Sequence, residues 1–86
     1  MYVHIGGEYS ISDRFIVGIF DMDMSTAGQE DTLHFLTRAE KEGRLEYVSE
    51  DLPRSFVLTV DRVYISPVSS STIKKRMHEG TNTFGE

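Results

Sequence analysis

The chain has 86 residues, no cysteine, and a net charge of −5 from nine basic and fourteen acidic side chains. That length supports one domain with a single small core, and the lack of cysteine excludes disulfides and thiolate metal sites. No apolar run nears the ~20 residues of a membrane span and no basic-then-apolar leader opens the chain, so a soluble cytoplasmic protein with no membrane partner is expected.

In chain order, residues 2–5 read as a short strand, Gly6-Gly7 as a turn, and residues 8–11 as the return of a hairpin. Ser12-Asp13 punctuates. Residues 14–20 then read as a central strand, opened by Arg14 and apolar on both faces. Phe15, Val17 and Ile19 fall on one side, Ile16 and Phe20 on the other, with Gly18 between them. Asp21 and Asp23 line the exit of this strand. Residues 21–25 begin like a calcium loop, but Thr26 stands where glycine is needed and Thr32 where glutamate is, so the EF-hand pattern fails.

Thr26 and Gln29 have the spacing of a capping box, opening a helix that carries Leu33, Leu36 and Ala39 inward and stops at Gly43. Arg38 and Glu42, four apart, form an exposed pair on it. A short strand at 45–48 and a loop at 50–53 follow. Two strands over 55–60 and 62–66 turn at Asp61-Arg62. Phe56, Leu58 and Val60 alternate with Val57 and Thr59, so the first of these is also apolar on both sides.

A second helix spans 69–78, with Ile73 and Met77 as its apolar pair, and residues 79–86 lack periodicity and are expected to be a loose tail after a single domain at 1–78. The fold class is α+β: a small antiparallel sheet with a helix after the third strand and a C-terminal helix. Two helices are too few to cover both faces of such a sheet, so another copy of the chain is expected to bury the remaining face.

Catalytic and metal signals are scarce. His4, His34 and His78 lie far apart, without partners at metal-ligand spacing. Gly6-Gly7 matches neither a P-loop nor a dinucleotide fingerprint, and Ser69-Ser70-Ser71 has no general base at a recognisable spacing. Neither an enzyme nor a cofactor is expected.

Charge is distributed unevenly. Residues 1–53 hold four basic and eleven acidic side chains, whereas residues 54–78 hold Arg54, Arg62, Lys74, Lys75 and Arg76 against Asp61 alone. A local basic region in an acidic chain is a candidate anion or nucleic-acid contact. The competing reading is a Ser-capped helix whose cations suit the helix dipole at its C-terminal end. No aromatic residue is interleaved with the cluster, which disfavours stacking on single strands.

Three stretches carry a family resemblance: Arg-Phe-Ile-Val-Gly-Ile-Phe-Asp at 14–21, Phe-Val-Leu-Thr-Val at 56–60, and Tyr-Ile-Ser-Pro-Val-Ser-Ser-Ser-Thr-Ile-Lys-Lys-Arg at 64–76. Over roughly residues 1–77 the chain resembles the RemA/RemB family of bacterial extracellular matrix regulators, with the RemB type the nearer match. The resemblance implies a ring-shaped homo-oligomer that binds double-stranded DNA around its rim and activates transcription of biofilm-matrix genes. A RemA-like paralogue is a candidate partner besides DNA and self.

Arg14 matches an arginine important for function in the family. Arg54, preceded by Pro53, falls where the family has two adjacent arginines implicated in DNA contact and assembly. Arg14 and Arg54 are therefore the leading DNA-binding candidates, with Arg62, Lys74, Lys75 and Arg76 behind them. The single arginine at 54 and the excess of acids favour the alternative, a ring-forming protein–protein interaction module that has lost DNA binding.

Overall fold

Alternating burial folds the N-terminus into the expected antiparallel hairpin, β1 (Tyr2–Gly6) and β2 (Tyr9–Ser12), with Val3 and Ile5 inward. The computed structural model describes residues 1–22 and 29–84. Gly7 turns the hairpin at φ +54°, and a Cβ there would lie 2.6 Å from the Val48 carbonyl oxygen, so only glycine fits.

Residues 13–15 depart from the expected strand. Asp13–Phe15 form a 3-10 turn, capped where Ser12 Oγ accepts from the Arg14 amide at 3.4 Å. Strand β3 begins only afterwards, at Ile16–Asp21, so Arg14 sits on the turn and not at the head of a strand. A bulge then breaks the expected alternation. Ile16 lies opposite Thr59 and Gly18 opposite Leu58 on strand β5 (Ser55–Thr59), leaving Val17 as the extra residue. Ile16 and Ile19 consequently pack into one core cluster, although strict alternation would put them on opposite faces.

The main sheet has the order β3-β5-β6-β4, with β4 at Leu45–Tyr47 and β6 at Val63–Ser66. It is mixed and not purely antiparallel, because β4 pairs with β6 in parallel. The cause is the 48–54 loop, which steps across the end of β6: the Val48 amide donates to the Ile65 carbonyl (3.0 Å) and the Arg54 amide to the Ser66 carbonyl (2.8 Å). That step leaves room for β6 between β4 and β5. It also makes β3 an edge strand instead of the expected central one.

Helix α1 spans Gln29–Lys41. It ends with Gly43 at φ +72°, where the Gly43 amide donates to the Glu40 carbonyl and the Arg44 amide to that of Ala39, the two bonds of a glycine C-cap. Thr26 of the expected capping box and the segment 23–25 lie outside the described residues. Leu36 and Ala39 are buried as expected, but Leu33 is 46% exposed; Phe35 packs inward instead, its ring 5.9 Å from that of Phe56. Helix α2 (Ser70–Phe84) is capped by Ser69, whose Oγ accepts from the Thr72 amide at 3.3 Å, and it continues past His78, where its pattern was expected to stop.

Elements lie on both faces of the sheet, but the face under α1 is only partly closed, with Phe20 and Leu33 each 46% exposed. The hairpin, which the tally of helices leaves out, joins α2 over the cluster of Val3, Ile5, Ile19, Val48, Val57 and Ile73. On the other face, α1 packs Leu36 and Ala39 against Phe56, Val63 and Ile65. Buried serines tie the layers together: Ser66 Oγ donates to the Ile5 carbonyl (2.5 Å) and accepts from the Val68 amide (2.9 Å), while Ser55 Oγ donates to the Val68 carbonyl (2.6 Å).

Candidate nucleic-acid interface

The β3–β5 ladder separates the two leading candidates. Arg54 precedes β5, at the end where the Met22 amide meets the Arg54 carbonyl (3.0 Å). Arg14 lies at the other end, where the Val60 amide donates to the Phe15 carbonyl (3.1 Å). From residue 54 to residue 60 an extended chain advances about 20 Å. One subunit therefore does not bring the two arginines together.

Ion pairing sorts the six basic candidates. Among the described residues no salt bridge reaches Arg14, Arg54, Lys74 or Lys75, and all four are exposed. Arg62 is partly neutralised by Glu46 at 3.8 Å. Arg76 fastens α2 to β1, its Nη1 donating to the His4 carbonyl at 3.0 Å and lying 3.4 Å from His4 Nδ1. The His4 ring is itself anchored, with Nε2 donating to the Gly7 carbonyl at 2.9 Å.

The Lys-Lys-Arg run is not a single patch. Consecutive residues on a helix point about 100° apart, since a turn takes about 3.6 residues. With Ile73 facing the core and Arg76 reaching β1, Lys74 projects from the opposite flank of α2 and Lys75 points to solvent. Ser70 Oγ donates to an Asp21 carboxylate oxygen, which holds the start of α2 at the Arg54 end of the ladder. The start of α2 thus lies at the Arg54 end, and Arg14 stands apart.

The remaining polar surface is internally compensated. Tyr9 donates to Glu46 Oε2 at 2.6 Å, and that bond, with the carboxylate charge behind it, raises the Tyr9 pKa above its ordinary 10.0. Burial raises that of Tyr64 in the same direction. On α1, the Arg44 guanidinium at 2.9 Å, helped by Arg38 at 3.4 Å, lowers the Glu42 pKa. Among the described residues no group of three or more His, Cys, Asp or Glu is placed to hold a metal, and no helix is long and apolar enough to cross a membrane.

Two apolar features escaped the reading of the sequence. Tyr2, Ile11, Phe15, Val60 and Tyr64, with Ser10, Ser12, Thr59 and Asp61, line a cleft of about 340 Å³. At the far end of the ladder Leu52 is 83% exposed, the most exposed of the large apolar side chains among the described residues. Its signal was available: a leucine between Asp51 and Pro53 has nothing apolar nearby in sequence to pack against.

Known proteins match nearly the whole chain. Residues 2–77 match the family model described as "RemA-like: Extracellular matrix regulatory protein A-like". The chain is 40% identical over 76 residues to extracellular matrix regulatory protein B of Bacillus subtilis (strain 168), covering 88% of this chain and 89% of that protein. Both names describe regulation and neither describes catalysis.

Proposed function

The chain belongs to the RemA-like family of extracellular matrix regulatory proteins, and from that premise we propose that it is a transcriptional regulator that binds double-stranded DNA as a ring-shaped homo-oligomer. The observation that carries this reading is that, among the described residues, the exposed candidates Arg14, Arg54, Lys74 and Lys75 have no carboxylate partner. A chain that pairs Arg38, Arg44 and Arg62 with its own glutamates, yet among the described residues leaves these four, like Lys41, without a salt bridge, has cations available to an anionic partner.

A single subunit offers too few phosphate contacts to bind well. Repetition around a ring multiplies them, and linked sites gain roughly 10²–10⁴ in avidity where geometry allows simultaneous engagement. Backbone contacts position the protein without reading bases, so selectivity would rest on how easily a target bends. Biofilm-matrix genes are the proposed targets, and a RemA-like paralogue is a proposed second partner.

Gel shifts over a salt series test the proposal. Each neutralised phosphate adds about −0.9 to the slope of log affinity against log salt. The Arg14→Ala, Arg54→Ala double variant should bind more weakly and with a shallower slope; unchanged binding would remove both residues from the interface. A second reading, a ring that contacts proteins and not DNA, is favoured by the net charge of −5. Wild-type protein that assembles but shifts no duplex at low salt would establish it.

A further inference from the structure

We propose that Arg62 is a latent anion contact at the Arg14 end of the subunit, and that Glu46 is the internal competitor which the phosphates of the anionic partner displace from it. The inference rests on the nucleic-acid reading above and adds to it a contact that the chain keeps partly covered.

The guanidinium is firmly placed but poorly satisfied. A tight turn fixes the Arg62 backbone: the Thr59 amide donates to the Arg62 carbonyl at 2.9 Å, and the Arg62 amide to Thr59 Oγ1 at 3.0 Å. The side chain is 45% exposed and meets Glu46 Oε1 only at 3.8 Å, beyond hydrogen-bond reach. The other arginine–glutamate pairs among the described residues are closer, Arg44 to Glu42 at 2.9 Å and Arg38 to Glu42 at 3.4 Å. The Glu46 carboxylate makes its hydrogen bond elsewhere: Oε2 accepts from Tyr9 at 2.6 Å, which ties β4 to the hairpin. Asp61, beside Arg62 in the chain, accepts from Thr59 Oγ1 at 3.3 Å and forms no ion pair with Arg62. Among the described residues, then, no carboxylate hydrogen-bonds any of the five N–H donors of this guanidinium.

Relative magnitudes decide which anion holds Arg62. A half-exposed pair of this kind shifts an equilibrium by about two- to fivefold. A phosphate accepts two guanidinium N–H groups at once, and such a charge-assisted contact is worth roughly tenfold or more. The phosphate wins the exchange, and Glu46 stays behind on Tyr9.

Location adds to the case. Arg14 precedes Phe15 and Arg62 follows Asp61, and Phe15 and Asp61 line the same cleft. Both arginines thus belong to the end of the ladder where the Val60 amide meets the Phe15 carbonyl. Release of Arg62 gives that end two phosphate contacts in place of one.

Glu46→Gln keeps an oxygen to accept from Tyr9 and removes the charge facing Arg62. In gel shifts on a mixed-sequence duplex it should tighten binding by about two- to fivefold for each subunit engaged. Arg62→Ala should weaken binding and make the slope of log affinity against log salt shallower by about 0.9 for each subunit engaged. The double variant separates a specific contact from bulk charge: Glu46→Gln should gain nothing in the Arg62→Ala background. A Glu46→Gln variant that binds like wild type, an Arg62→Ala variant that keeps wild-type affinity and slope, or a gain that survives the loss of Arg62 would each overturn the proposal.

A heparin column separates this inference from the function it rests on. Wild type that shifts no duplex at low salt would defeat the nucleic-acid reading. Later elution of Glu46→Gln that disappears with Arg62→Ala would still show Glu46 competing with a polyanion for Arg62. Co-elution of wild type and all three variants would overturn that competition.

Discussion

On the sheet face under the hairpin and α2, Ile5, Val57 and Ile73 are fully buried; on the face under α1, Phe20 and Leu33 remain 46% exposed beside an apolar groove of about 240 Å³. Two elements close the first face: Arg76 fixes them to each other, Ser66 ties the hairpin to β6, and Ser55 ties β5 to the Val68 segment ahead of α2. One helix alone lies over the second, beside an edge strand. Closure in so small a domain depends on how many elements converge, and the hairpin is the piece that turns a half-covered face into a core.

The sharpest test of that contrast is Ile73→Ala, which empties a fully buried site on the closed face. It should cost about 2–5 kcal/mol, measured by urea unfolding, because a close-packed site relaxes little around the cavity. Ser66→Ala comes next. It leaves the Ile5 carbonyl and the Val68 amide without their buried partner, and about 1–3 kcal/mol should be lost. A loss near zero would mean that water replaces the hydroxyl and that the hairpin is held by apolar packing alone.

On the open face Leu33→Ala should change stability by only about 0.5 kcal/mol. A cost matching that of Ile73→Ala would abolish the distinction between the faces. The smallest effect is an alkaline one confined to the hairpin side. The Tyr9 pKa is raised in the folded state, so its contribution is complete below pH 10.0 and lost as pH climbs through the folded value. Tyr9→Phe should therefore lose less stability than wild type between neutral pH and the pH at which Tyr9 ionises. Equal slopes in thermal melts taken across that range would show that the bond to Glu46 is not what responds.

The hairpin, both helices and the β5–β6 pair were legible because each rests on local signals. Gly6-Gly7 marks one turn, Gly43 a helix end, Ser69 a helix start, and period-two alternation the strands. The family resemblance was legible for a similar reason, since its three motifs are contiguous. Errors fell where a distant partner decided the outcome. Strict alternation through residues 14–20 could not reveal the bulge at Val17, which exists only in register with β5. Nor could it show that the Ser12 side chain would divert Arg14 into a 3-10 turn.

By itself the sequence determined the α+β class, the order of the elements, the family and a roster of basic residues. Those properties are written in neighbouring residues and their spacing. Only the tertiary structure decided that β3 is an edge, that Arg62 and Arg76 are engaged by Glu46 and His4, and that Arg14 and Arg54 stand at opposite ends of one ladder. Ion pairing and separation in space depend on residues far apart in the chain, and charge counted along the sequence carries no record of which cation has found a partner.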